Sequence, residues 1–140
     1  MVLSLQGNSL NSNSSTSSIN SITVTNNKYY RYVNIDDNMY DGDYYPTQVT
    51  HDGQVVYQQQ GGNFYMIFMY NSYMSNYLWC IVSLYDYEDI IDGKTYADYV
   101  DSVGDVPGNR SSTTDNISAT PADVTWGNGD YSCTQLTISN

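Results

Sequence analysis

The sequence predicts an all-β fold: an antiparallel β-sandwich, immunoglobulin-like or jelly-roll-like, with an extended N-terminal arm. Three observations lead to this prediction. Two short runs of aromatic and β-branched residues, 63–70 and 77–85, are typical of central strands that are covered on both faces, or that have one face in a core and the other in an interface. Turn-forming residues recur about every ten positions. Apolar and hydroxyl side chains alternate at 21–25, as in a strand with one buried face.

Residues 1–21 are predicted to form the arm, and residues 22–140 a single globular β-domain. The tract 8–18 consists mostly of Asn and Ser and has no periodicity that would bury one face. Apolar residues alternate with others at the tip of the arm, which favours docking as an added strand in a neighbouring subunit. A frayed or self-packed terminus is the alternative. The predicted docking residues are Met1, Leu3, Leu5 and Leu10.

The first half of the domain is predicted to consist of strands joined by tight turns. Residues 21–25 form the first strand and residues 29–33 the second. The Asp-Gly pair at 52–53 is the clearest hairpin signal, because it supplies the positive φ that a tight turn requires. We therefore expect residues 55–57 to pair back onto the strand that contains 48–50.

The second half is predicted to continue this pattern, with one ambiguous segment. The second central strand is expected to end at Tyr85, where turn-forming acids begin. Residues 95–103 carry apolar side chains at helical spacing and fit either a short helix or a wandering strand. Residues 104–123 are predicted to be loop. Residues 124–126 and 131–138 are expected to close the domain as a hairpin.

The composition excludes several classes of partner. Fifteen acidic residues against four Lys and Arg give a net charge of −11, so binding to nucleic acid or to an anionic membrane surface is not expected. No segment is long and apolar enough to be predicted to span a bilayer. Sixteen tyrosines exceed what one small core can absorb, so many are predicted to lie at the surface or in contacts with other molecules.

Low Lys and abundant Ser, Thr, Asn and Asp predict an extracellular or cell-surface protein. Cys80 and Cys133 permit one disulfide, which would close a loop of roughly 50 residues and contribute about 4 kcal/mol. Two unpaired buried thiols are the alternative. No secretory signal is visible after Met1, so removal of a signal before this residue is expected. An initiator Met1 would instead favour a virus or phage structural protein.

Spaced aromatic and glycine positions form a recognisable set of motifs. They are Gly42-Asp43-Tyr44, Asp52-Gly53-Gln54-Val55-Val56-Tyr57, Trp79-Cys80-Ile81, Pro121 and Trp126. Together they resemble a small Trp- and Tyr-bearing β-module of secreted and surface proteins of algae, protists and marine invertebrates. This resemblance implies an extracellular β-domain and no particular reaction. With the polar arm in front, the chain also resembles subunits of extracellular filaments that are linked by donor-strand insertion.

No constellation of residues predicts an enzyme, and no cofactor is expected. His51 is the single histidine and is interpreted as a solvated turn residue, because no nucleophile motif or sufficient set of zinc ligands accompanies it. An Asp-rich loop is a weak calcium candidate, although its spacing departs from the EF-hand pattern. A hydrolase that uses paired carboxylates is the weakest alternative. The calcium candidates are Asp36, Asp37, Asp41 and Asp43.

Two further sets of side chains are candidate binding or modification sites. Exposed Tyr and Trp rings beside Asn and Asp build sugar-binding surfaces, and the same rings also pack between subunits or cap a core. The candidate rings are Tyr44, Tyr45, Tyr73, Tyr77 and Trp126. Three sequons for N-glycosylation begin at Asn13, Asn109 and Asn116.

The sequence therefore predicts a structural subunit of an extracellular filament or surface appendage. The arm would dock in the β-domain of the next copy, and head-to-tail repetition that does not close gives a helical homopolymer. A carbohydrate-binding or adhesion module that uses surface tyrosines is the alternative, as is a virus or phage structural protein. The expected partners are other copies of the chain and glycans, with no nucleic acid and no membrane insertion.

Overall fold

The computed structural model describes residues 19–25, 28–29, 35–36, 40–103, 109–126, 131–132 and 135–139, with side chains over 19–25, 40–102 and 110–126. In chain order the strands are β1 (Ser21–Thr25), β2 (Lys28–Tyr29), β3 (Ile35–Asp36), β4 (Gly42–His51), β5 (Gln54–Gln59), β6 (Phe64–Asn71), β7 (Asn76–Ser83), β8 (Asn109–Arg110), β9 (Tyr131–Ser132) and β10 (Gln135–Ser139). The helices are α1 (Leu84–Ile91), α2 (Tyr96–Val103) and a short 3-10 helix, Pro121–Asp123.

The long strands form one antiparallel sheet that is curled into a half-barrel. Its strand order is β10-β1-β4-β5-β6-β7-β8. Strands β3, β2 and β9 form a second sheet in which each strand has two residues. The predicted antiparallel β architecture is confirmed in this coarse form, and two short helices are added to it. The described residues form a half-barrel and do not show a two-sheet sandwich.

Strands β6 and β7 form the centre of the packing, as the two aromatic runs predict. They are paired over their full lengths, 64–71 and 76–83. Successive side chains of a strand point to opposite faces, and both faces of this pair are buried. Phe68 and Trp79 lie on one face, and Ile67 lies on the other. The prediction of central strands with both faces covered is therefore confirmed.

One face of the sheet packs against the segment that follows β8, and we call this packing the loop-side core. Trp79 is fully buried and donates its indole N–H to the carbonyl oxygen of Ala119 at 2.9 Å. Trp126 packs against the same core and donates its indole N–H to Pro121 at 2.8 Å. The buried members are Ile19, Ile22, Val24, Tyr40, Tyr44, Tyr57, Met66, Phe68, Trp79 and Ile81.

The opposite face packs against α1 and α2, and we call this packing the helix-side core. Helix α1 begins after Ser83, whose hydroxyl accepts the amide of Asp86 at 3.2 Å, as an N-cap does. Helix α2 begins after Thr95, which exchanges two hydrogen bonds with Asp98. The buried members are Val56, Ile67, Met69, Leu78, Cys80, Val82, Ile90 and Tyr99.

The structure corrects one sequence prediction in this region and decides between the two alternatives of another. The second central strand was expected to reach Tyr85, but it ends at Ser83, where the N-cap starts α1. The ambiguous segment 95–103 is helical from Tyr96. Burial of Ile90 and Tyr99 against the sheet stabilises both helices by roughly 1.5–3 kcal/mol for each large apolar side chain.

The C-terminal pairing also differs from the prediction. Strand β10 pairs with β1 in antiparallel register, and not with residues 124–126. Trp126 instead forms an isolated bridge with Ser111. The Asp-Gly hairpin is confirmed, with φ angles of 48° at Asp52 and 87° at Gly53, and Val55 pairs with Thr50 as expected.

Candidate functional site

The β4–β5 hairpin is bent by extra residues in β4. Pro46 lies opposite Tyr57 and Thr50 lies opposite Val55, so residues 47–49 face the single residue Val56. The Thr47 hydroxyl donates to the carbonyl oxygen of Val56 at 2.8 Å, which replaces a ladder bond that the bulge interrupts. Such a bulge redirects the residues beyond it. Here these are the residues of the hairpin tip.

The hairpin tip is hydrogen-bonded to β6 through two side chains, which we call the clasp. His51 Nδ1 lies 2.7 Å from the carbonyl oxygen of Phe68, and Asp52 Oδ2 accepts the backbone N–H of Tyr70 at 2.7 Å. The β5–β6 ladder contains only the pairs Tyr57–Met66 and Gln58–Tyr65. The clasp therefore satisfies main-chain groups of β6 beyond the point where the ladder stops.

The clasp also fixes the tautomer of the His51 ring. A carbonyl oxygen only accepts hydrogen bonds, so Nδ1 carries the proton that is donated to Phe68. The second ring nitrogen, Nε2, then holds a lone pair when the ring is neutral. The sequence interpretation of His51 as a solvated turn residue is wrong, because the side chain is 21 % exposed and bonded to the sheet.

A pocket of about 350 Å³ lies between the clasp, the β6–β7 turn and the connection from α1 to α2. We call it the helix-side pocket. Its floor is apolar, since Met69 and Ile90 belong to the helix-side core. Its walls combine the phenol ring of Tyr96 with imidazole, carboxylate, hydroxyl and ammonium groups. The lining residues are His51, Asp52, Met69, Tyr70, Ser72, Ile90, Gly93, Lys94, Thr95 and Tyr96.

The charged groups of the pocket wall already have partners. The Lys94 ammonium lies 3.9 Å from the centroid of the Tyr99 ring, a cation–π contact. Burial raises the pKa of Tyr99, and the nearby Asp86 carboxylate raises it further, so this ring stays neutral beside the ammonium. On the other wall, the Asp52 carboxylate accepts from Tyr70. The pocket thus contains one positive and one negative group, both partly engaged.

The five predicted surface aromatics differ in their exposure and contacts in the structure. Tyr44 is fully buried and donates its hydroxyl to the carbonyl oxygen of Tyr40 at 2.8 Å, so its prediction as a surface ring is wrong. Tyr45 and Tyr73 are 43 % and 55 % exposed. Tyr77 is half-buried and stacks on Phe68 with centroids 5.0 Å apart.

Trp126 is half-buried and packs against the loop-side core, as the core-capping alternative predicted. None of the five predicted aromatics lines the helix-side pocket. The ring that does line it, that of Tyr96, was not singled out by sequence. Tyr70 also lines the pocket, but its ring lies on the other face of the sheet, against Tyr77. The Thr95-x-x-Asp98 capping signal could have placed Tyr96 at the start of a helix.

The cysteine prediction remains open. Cys80 is fully buried, and burial raises the pKa of its thiol to about 12. It forms no disulfide with any residue that the structure describes. Cys133 lies outside the described residues, so the pairing stays a prediction.

The calcium and glycosylation candidates are only partly described. Asp43 accepts the hydroxyl of Thr23 at 2.7 Å, and the backbone of Asp41 accepts the Gln59 side chain. The side chain of Asp36 and all of Asp37 lie outside the described residues. Within the described part, no group of three or more His, Cys, Asp or Glu side chains is placed to hold a metal ion.

Of the three sequons, the one that begins at Asn116 is fully described. Asn116 is exposed and accepts the amide of Ser118 at 2.9 Å, which forms an Asx-turn. Asn109 has a described backbone in β8, and its side chain is outside the described residues. Asn13 and the docking residues Met1, Leu3, Leu5 and Leu10 also lie outside them. Glycosylation and arm docking therefore stay predictions.

Comparison of the chain with models of protein families, with curated proteins and with solved structures finds no match. Among the described helices, none has the length and apolar character needed to cross a membrane.

Proposed function

We propose that this protein is a carbohydrate-binding or adhesion module at the cell surface or outside the cell, and that its ligand occupies the helix-side pocket. The observation that carries the proposal is the make-up of the pocket, in which an apolar floor, a phenol ring and several polar side chains surround one cavity. Ligand pockets typically combine a mostly apolar lining with a few polar groups in about 300–1,000 Å³. The helix-side pocket has this character. The proposed role is binding without a reaction.

The pocket chemistry favours a neutral ligand that is rich in hydroxyl groups. A charged ligand would lose hydration on entry, and only an unpaired opposite charge offsets that cost. Asp52 and Lys94 each already interact with a neighbour, and their opposite charges leave the pocket wall without an excess of either sign. Hydroxyl groups both donate and accept hydrogen bonds, and they suit the mixed polar groups of the wall.

Tyr96 is the residue on which the proposal depends most. Its half-buried ring lines the pocket and packs against the helix-side core, and its hydroxyl accepts from the Arg110 guanidinium at 3.5 Å. A phenol that is held by its neighbours offers a preformed apolar face with a polar end. We infer that the C–H face of a sugar ring packs against it.

A glycan array probed with three proteins tests this proposal. They are the wild type, Tyr96→Ala and Tyr65→Ala, in which Tyr65 is a matched control because its ring is also half-buried against the helix-side core and does not line the pocket. We expect the wild type and the control to bind at least one common glycan, and Tyr96→Ala to lose it. Binding to no glycan, or equal loss in both variants, contradicts the proposal.

A second proposal, a structural subunit of an extracellular filament or surface appendage, is supported by the edges of the sheet. At one end, β7 is covered: the backbones of Tyr77 and Thr114 exchange two hydrogen bonds of 2.9 and 2.8 Å. At the other end, β10 pairs with β1 and has no second neighbour among the described strands. An uncovered edge strand is a template for the addition of another strand.

The apolar tip of the N-terminal arm is the strand that we propose to occupy this edge in the next copy. Repetition of such a contact is heterologous and produces a filament. The docked arm would extend the half-barrel. We propose that the predicted two-sheet sandwich forms in this way. The same head-to-tail assembly would also suit a structural protein of a virus or phage.

Sedimentation and negative-stain imaging of three chains test the assembly proposal. We expect the full chain to polymerise, and both a chain that lacks residues 1–10 and the double variant Leu3→Asp, Leu5→Asp to stay monomeric and folded. Polymers formed by the truncated chain, or a full chain that stays monomeric at high concentration, would reject it. The two proposals are independent, because the pocket and the β10 edge share no residue.

A further inference from the structure

The helix-side pocket continues into a second, shallower recess along α2. The recess has a volume of about 620 Å³ and is lined by Asp98, Asp101 and Ser102 together with Gly93 and Lys94. Gly93 and Lys94 also line the pocket. The pocket and the recess are therefore adjoining parts of one groove.

The β6–β7 turn contributes to both parts of this groove. Ser72 lines the pocket, and the neighbouring Tyr73 donates its phenol hydroxyl to the Asp101 carboxylate of the recess. The Tyr73 side chain is 55 % exposed. An exposed phenol ring thus stands beside the recess, as the ring of Tyr96 lines the pocket.

Building on the carbohydrate-binding function proposed above, we propose that the ligand is a neutral oligosaccharide chain, with one sugar unit in the pocket and the next in the recess. Each part of the groove offers one phenol ring and several hydrogen-bonding groups. A single sugar unit would fill the pocket and leave the recess unused.

The charge of the recess excludes acidic sugars. Its carboxylates, Asp98 and Asp101, outnumber the one ammonium, Lys94. The backbone and hydroxyl of Thr95 donate to Asp98 and hold the pKa of that carboxyl below its ordinary value, so the carboxylate keeps its charge in mildly acidic solution. The net charge of −11 for the whole chain adds to the repulsion of an anionic ligand.

Isothermal titration with sugars of increasing length tests the proposal. The probes are glucose, galactose, mannose and N-acetylglucosamine, the linear trimer of each, and trigalacturonate as the acidic trimer. In at least one series we expect the neutral trimer to bind about tenfold or more tightly than its monomer. We expect trigalacturonate to bind more weakly than the neutral trimer of the same series.

Two variants locate the second unit. Ser102→Trp places a large side chain on an exposed helix position in the recess, and Thr113→Trp does the same on an exposed loop outside the groove. We expect Ser102→Trp to reduce trimer affinity to that of the monomer, and Thr113→Trp to leave it unchanged. Asp101→Asn removes one carboxylate from the recess and is expected to improve trigalacturonate binding, whereas the control Asp115→Asn is not. This comparison does not depend on the effect of a bulky side chain.

The outcomes distinguish failure of the oligosaccharide proposal from failure of the carbohydrate-binding function on which it rests. A monomer that binds as tightly as its trimer, or an acidic trimer that binds as tightly as the neutral one, overturns the oligosaccharide proposal and leaves the pocket function standing. If no sugar of any length binds, the carbohydrate-binding function itself fails, and the oligosaccharide proposal fails with it.

Discussion

His51 is hydrogen-bonded to Phe68, on a strand that is not the neighbour of its own: Nδ1 of the ring lies 2.7 Å from the Phe68 carbonyl oxygen. Continuing the β5–β6 register past Tyr57–Met66 would place Val55 opposite Phe68. Instead of the backbone of Val55, the side chains of the hairpin tip hydrogen-bond to the backbone of β6. These side chains form one rim of the helix-side pocket. The pocket therefore depends on the bulge that bends β4.

The clasp predicts a local loss of protection when Asp52 is truncated. Asp52→Ala removes the acceptor of the Tyr70 amide, so that amide should exchange with solvent faster and the free energy of unfolding should fall by about 1 kcal/mol. Amide hydrogen exchange and urea unfolding measure the two effects. Asp115→Ala, at an exposed loop position, is the control and should change stability by less than about 0.5 kcal/mol. Unchanged exchange at Tyr70 would contradict the clasp.

The loop-side core predicts different costs for the two tryptophans. Trp79→Phe removes a fully buried indole and its hydrogen bond to Ala119, and should lower the free energy of unfolding by about 2–3 kcal/mol. Trp126→Phe loses the equivalent bond to Pro121 at a half-buried site, and should cost about 1 kcal/mol. Denaturant unfolding measures both values. Equal costs would mean that the indole of Trp79 is not the centre of this core.

The N-cap of α1 predicts a cost for loss of one hydroxyl. Ser83→Ala leaves the amide of Asp86 without its acceptor and should lower stability by about 1 kcal/mol, whereas Ser83→Asn should recover most of it. Denaturant unfolding and circular dichroism follow stability and helix content. A Ser83→Ala protein that is as stable as the wild type would show that α1 is held by packing alone.

Burial of a thiol and a phenol, which both lose a proton at alkaline pH, predicts a loss of stability there. Burial raises the pKa of the Cys80 thiol from 9.0 to about 12, and that of the Tyr57 phenol from 10.0 to about 12. Between the unfolded and folded values, the unfolded chain releases protons that the folded chain retains. The free energy of unfolding should therefore fall as pH rises above about 9, and keep falling toward about 12.

The variant Cys80→Ala isolates the thiol. Under reducing conditions, its slope of unfolding free energy against pH between about 9 and 10 should be shallower than in the wild type, because the phenol titrates later in the unfolded chain. Cys80→Ala also removes buried volume, so the slopes and not the absolute stabilities are compared. Identical slopes would show that the thiol does not remain protonated in the folded chain.

The local features of the fold could be predicted from sequence, because their causes lie within a few residues. The aromatic runs 63–70 and 77–85 identified the central strands, and the Asp-Gly pair at 52–53 identified the hairpin. Helix α1 was missed because Leu84 and Tyr85 continue the apolar run past the cap at Ser83. The Ser83-x-x-Asp86 signal is local and could have been used.

The non-local features could not be predicted in the same way. The pairing of β10 with β1 joins the two ends of the domain, and nothing in either short segment specifies the other as its partner. The burial of Tyr44 likewise depends on pairing between separate segments, because Tyr44 lies opposite Ile22 in the adjacent strand β1. The pocket requires a bulge, a hairpin tip and two helix ends to meet, so its residues shared no pattern along the chain.

The central claim is that a sugar binds in the helix-side pocket, and mapping by nuclear magnetic resonance tests it most directly. A ¹⁵N-labelled protein is titrated with the neutral sugar trimers while the backbone amide signals are followed. We expect saturable shifts concentrated at Asp52, Tyr70, Lys94 and Tyr96, with little change at Tyr45. Saturable shifts confined to residues outside the pocket, or no shift with any of the trimers at millimolar concentration, would contradict it.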